Sequence, residues 1–80
     1  MLMISVTPFN AGWAVRAQGM DNDMVFASGA KAEAAARRLA GNIAATGQAA
    51  EIAIWLRGGV LAGRFICPPT SELAADEARP

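Results

Sequence analysis

The chain contains no histidine, no tyrosine and only one cysteine. Without histidine there can be no Ser-His-Asp or Cys-His catalytic arrangement and no histidine-containing metal site. One thiol, Cys67, cannot close a disulfide within the chain or build a zinc site, and a lone thiol suits a reducing compartment. No Gly-rich phosphate loop is present, since Gly58-Gly59 and Gly63 stand outside any GxxxxGK[ST] pattern. No apolar run approaches the ~20 residues of a membrane helix. The amino end, MLMISVTP, has neither the basic start nor the cleavage site of a signal peptide, so the expected location is the cytoplasm. Charge of either sign is scarce. Seven Lys and Arg balance seven Asp and Glu, which argues against a generally basic nucleic-acid binder.

What is present is apolar: 54% of 80 residues are hydrophobic and 18% charged, a folding chain with room for one small domain. The abundance of Ala and Gly suits a bacterial or phage source of high GC content. Met3 to Thr7 alternate up to Pro8 and read as a strand, and PFNAG reads as a turn. From Trp13 to Gln18, Trp13, Val15 and Ala17 take one face and Ala14, Arg16 and Gln18 the other. GMDND is a polar turn. Met24 to Ala27 is a short apolar run that either adds a third strand or leads into the next element.

The period then changes to that of a helix. Ser28 is placed to cap it, and Ala32, Ala35, Ala36, Leu39 and Ile43 form one stripe between Ala30 and Thr46. Glu33 precedes Arg37 by four residues, an ion pair worth ~0.3 kcal/mol. Gly47 suits the helix end. Glu51 to Arg57 and Val60 to Cys67 read as a hairpin closed by Gly58-Gly59. A two-residue turn sets Leu56 opposite Leu61, Ile54 opposite Gly63 and Ile52 opposite Phe65 on the core face. On the other face it sets Arg57 against Val60, Trp55 against Ala62, Ala53 against Arg64 and Glu51 against Ile66.

The pieces Gly12-Trp13-Ala14-Val15, Ser28, KAEAAARRLA from Lys31 to Ala40, Gly47 and Glu51 to Gly59 resemble a family of small bacterial proteins catalogued only as a domain of unknown function. The likeness spans about residues 3–67. It implies a ββαββ domain and no catalytic residue or ligand. The chain departs from the pattern in its Gly58-Gly59 turn and its apolar last strand, LAGRFIC.

The expectation is an α+β domain over residues 1–67, a four-stranded antiparallel ββαββ sheet with one helix on one face. A Pro-led flexible tail follows over 68–80. Asp21 and Asp23 lack the rest of a calcium loop and read as turn residues. Arg37-Arg38 reads as a solvated helix face and Cys67 as an inert thiol at the core margin. With Ile52, Ile54 and Leu56 toward the helix, Trp55 faces away, beside Val60, Ala62 and Ile66 and edged by Arg57 and Arg64. These six residues, Trp55, Arg57, Val60, Ala62, Arg64 and Ile66, form the expected partner-binding site, with Leu73 of the tail as the competing cover. The function they suggest is non-enzymatic: a protein-binding or homodimerisation module that needs no cofactor, metal or membrane. An inhibitor protein of a phage or mobile element, anti-CRISPR-like in size and shape, is one alternative. Nucleic-acid binding on the open sheet, with Arg16, Arg57 and Arg64 on phosphate, is another. Charge gives the latter little support: residues 1–67 hold six basic against four acidic groups, and the tail reverses that excess.

Overall fold

The computed structural model describes residues 1–69. The tail from residue 70, including Leu73, the competing cover of the open face, lies outside the described residues. The elements run β1 (Leu2–Phe9), β2 (Gly12–Ala17), β3 (Met24–Phe26), α1 (Gly29–Ala45), β4 (Ala50–Trp55) and β5 (Leu61–Cys67). One helix packs on one face of one sheet, so the α+β class holds.

The expected four-stranded antiparallel sheet is corrected to a mixed five-stranded one, ordered β3-β2-β1-β4-β5, with β1 and β4 parallel and the other pairs antiparallel. The cause is β3. Those three residues pair with β2, Trp13 opposite Phe26 and Val15 opposite Met24. A helix that crosses the sheet carries the chain from the end where one strand finished back to the end where that strand began, so the strands before and after it run parallel. With β3 in place, β4 runs parallel to β3 and hence to β1; without it, β4 would run antiparallel to β1.

β1 is longer than its alternation suggested and includes Pro8, opposite Trp13. Leu2 N–H donates to Ala49 O and Gln18 N–H to Met3 O, so even-numbered residues of β1 turn their backbone groups toward β4. The last β1 residue paired with β4 is Val6, so the donor that Pro8 lacks falls beyond the end of that ladder and costs no bond. Among the described residues, no helix is long and apolar enough to cross a membrane.

Ser28 caps α1, its hydroxyl accepting from Lys31 N–H at 3.2 Å. At the other end Thr46 Oγ1 donates to Ile43 O, and Gly47, at φ +91°, turns the chain away. Ser28→Ala is expected to lower stability by about 1 kcal/mol in urea or thermal unfolding. The innermost stripe is narrower than expected. Ala32, Ala36, Ala40 and Ala44 are buried, one per turn, while Ala35, Leu39 and Ile43 flank them half-buried. Methyl side chains let the helix lie close over β1, β2 and β4, and only its margins reach β3 and β5. Beneath it Ile4, Val6 and Val15 are the largest fully buried side chains. The expected Glu33–Arg37 pair forms at 3.5 Å, and the same guanidinium lies 4.8 Å over the Phe65 ring, bridging the helix to β5.

Candidate open-face binding surface

The sheet face away from α1 is built in rows by the strand register. Arg16, Ser5, Ala53 and Arg64 form one row across β2, β1, β4 and β5. Met3, Glu51 and Ile66 form the next. On the other side of the first row, Trp55 stands at the end of β4 opposite Leu61. Ser5 and Ala53 are small, so the middle of the face is a hollow of about 410 Å³, walled by Met3 and Trp55 and ended by Arg16 and Arg64.

Each of those arginines has a carboxylate. Arg16 Nε donates to Asp23 Oδ1, and Arg64 Nε lies 3.1 Å from Glu51 Oε2. Glu51 is the more enclosed partner, its side chain 13% exposed, and Arg64 is its counterion. Asp23, read from sequence as a turn residue, is thus also the counterion of a face arginine.

The structure brings together only some of the six expected site residues. Trp55, Arg64 and Ile66 lie on the open face as expected, with Ile66 61% exposed. The lower hairpin register is as read: Ile54 opposes Gly63, Ile52 Phe65, Ala53 Arg64 and Glu51 Ile66. The upper part is corrected. Leu56 N–H donates to Val60 O and Gly59 N–H to Leu56 O, so the loop is the three residues Arg57-Gly58-Gly59. Gly58 and Gly59, at φ +91° and +82°, complete a loop that begins one residue earlier, at Arg57, than a two-residue turn. A bulge beside Trp55 then restores the register, setting both Leu61 and Ala62 against that one residue.

Four assignments change as a result. Leu61 opposes Trp55 rather than Leu56. Ala62 is the extra residue of the bulge rather than the direct partner of Trp55. Val60 pairs with Leu56 at the exposed hairpin end, and Arg57 lies in the loop, donating to Gly12 O at 3.4 Å. With Trp55, that loop and Pro8 line a second hollow of about 490 Å³ at the end of the sheet. Leu61 and Met3 are face residues that sequence reasoning left out of the site, and Arg16, which it placed on the open sheet for the nucleic-acid alternative alone, joins them. The phase of Met3, opposite to Ile4, was the available signal for one of them. Cys67 is half-buried and packs against the core margin, where it was expected.

The arrangement offers apolar area with two neutralised charges and an aromatic wall, which suits burial against another apolar surface. The chain matches no protein-family model, no curated protein and no solved structure.

Proposed function

We propose that this chain is a non-enzymatic protein-binding module that works through the open sheet face around Trp55. The observation that carries this is the half-buried indole of Trp55, set among Leu61, Ala62, Arg64 and the hollow beyond, on a face that none of the described residues covers. Burying an indole against a partner contributes ~2 kcal/mol or more, and Trp and Arg are the residue types that dominate binding surfaces. A second copy is the simplest partner, and a foreign protein inhibited by this chain is a special case of the same reading. Nucleic-acid binding is less well supported, because Arg16 and Arg64 are already paired with Asp23 and Glu51. The location that suits this reading is the cytoplasm, where Cys67 stays reduced.

In a Trp13→Phe variant Trp55 is the only indole. Its emission is expected to shift to the red as the protein is diluted from a self-associated state, with little effect of salt. A nucleic-acid complex would instead weaken steeply as salt is added. Solvent-exposed emission that stays the same at every concentration would remove the second copy as the partner of this face.

A further inference from the structure

We propose that two copies of this chain join through the free edge of β5, antiparallel about a two-fold axis centred on Phe65, so that two five-stranded sheets become one continuous sheet. This seam is at the edge of the sheet and does not depend on the proposed role of the face around Trp55.

The backbone register shows which groups are free. Leu2 N–H donates to Ala49 O, so the odd-numbered residues of β4 turn their backbone groups toward β1 and the even-numbered ones toward β5. The β4–β5 pairs that exchange hydrogen bonds are therefore Ala50–Cys67, Ile52–Phe65 and Ile54–Gly63. Arg64 and Ile66 point their N–H and C=O groups outward, and no described residue pairs with them. An unpaired strand edge is a template for another strand unless charge, proline or distortion blunts it. β5 has no proline, its bulge is confined to its start, and its single charge, Arg64, is held by Glu51.

Symmetry and charge favour a second copy as the occupant. The other edge of the sheet, β3, is only three residues long and directly follows Asp23, which leaves one long open edge in the described molecule. One self-complementary edge closes into a dimer, whereas two would propagate a filament. Antiparallel pairing of β5 with itself requires facing residues to share a side of the sheet. Centring on Arg64 would set two arginines against each other, which is unfavourable. Centring on Phe65 sets Arg64 against Ile66 of the second copy and Gly63 against its Cys67. It lets Arg64 and Ile66 exchange backbone hydrogen bonds with their counterparts. The two Phe65 rings then meet in a non-hydrogen-bonded pair, where side chains approach most closely, on the side of the sheet where Arg37 covers each ring.

That close approach supplies the test. Residues opposite each other in a non-hydrogen-bonded pair lie about 4.5 Å apart at Cα, within disulfide reach. In a Cys67→Ser background, Phe65→Cys is expected to give a covalent dimer under mild oxidation, and Ile66→Cys is not. In the parent protein the Arg64 and Ile66 amides are expected to exchange with deuterium about tenfold or more slowly when concentrated than when dilute. Phe65 is 41% exposed, so its replacement leaves the fold in place, and the exchange measurement needs no substitution at all. A protein that is monomeric at every concentration overturns the proposal. A dimer with unprotected Arg64 and Ile66 amides and no Phe65→Cys cross-link also overturns it, while leaving a face-to-face dimer through Trp55 standing. Cross-linking and protected edge amides with unchanged Trp55 emission support the edge seam and count against a second copy on the face.

Discussion

Ile4→Ala is expected to lower stability by about 3–4 kcal/mol, most of the roughly 5 kcal/mol that a marginally stable small domain holds. Ile4 is fully buried on the central strand, between Ala17 of β2 and Ile52 of β4, beneath the alanine stripe of α1. Helix and sheet are close together there, and the alanine methyls cannot move inward to refill the space. Leu39→Ala and Ile54→Ala, at positions the sequence alone places in the same helix–sheet core, fall at its half-buried margin. About half the cost of Ile4→Ala is expected for each. Urea unfolding of the three variants checks the order. An Ile4→Ala midpoint equal to that of Leu39→Ala would show that the core is not centred on β1.

Gly12→Ala is expected to cost about 1–3 kcal/mol and to act first on β3. A Cβ at Gly12 would clash with the carbonyl oxygen of Phe26, and that atom is backbone, held in the β2–β3 ladder. Relief requires β3 to move away from β2. The short strand then loses its pairing while the β1–β4–β5 side of the sheet keeps its own. Amide exchange should show Met24 to Phe26 opening in the variant well below the free energy of global unfolding. Protection of those amides equal to that in the parent would mean that β2 and β3 accommodate the methyl group without separating.

β3 also marks where the sequence stopped being legible. Three apolar residues, Met24 to Phe26, are too few for their periodicity to separate a strand from a lead-in to the helix. Yet their pairing changes the parity of the sheet and turns β1 and β4 from antiparallel to parallel neighbours. The Gly58-Gly59 turn shows the same limit on a smaller scale. Two glycines at positive φ fit either a two-residue or a three-residue loop. The difference moves Leu61 from the core face to the side of Trp55 and takes Arg57 off the strand. The lower half of that hairpin survived the error because the bulge returned the register to where a two-residue turn would have set it.

The sequence by itself determined the helix and its Ser28 cap, the two hairpins, the Glu33–Arg37 pair and the placing of Trp55 and Arg64 away from the helix. These follow from alternation, capping and spacing, interactions between residues a few positions apart. Only the tertiary structure decided the strand order, the parallel β1–β4 pair, the alanine stripe nearest the sheet and the pairing of Arg16 with Asp23 and of Arg64 with Glu51. It also decided that β5 is an edge, with Arg64 and Ile66 facing outward. Each of these depends on which distant segments become neighbours. That choice follows from the total apolar area the sheet and helix can bury together, which no local pattern in the chain encodes.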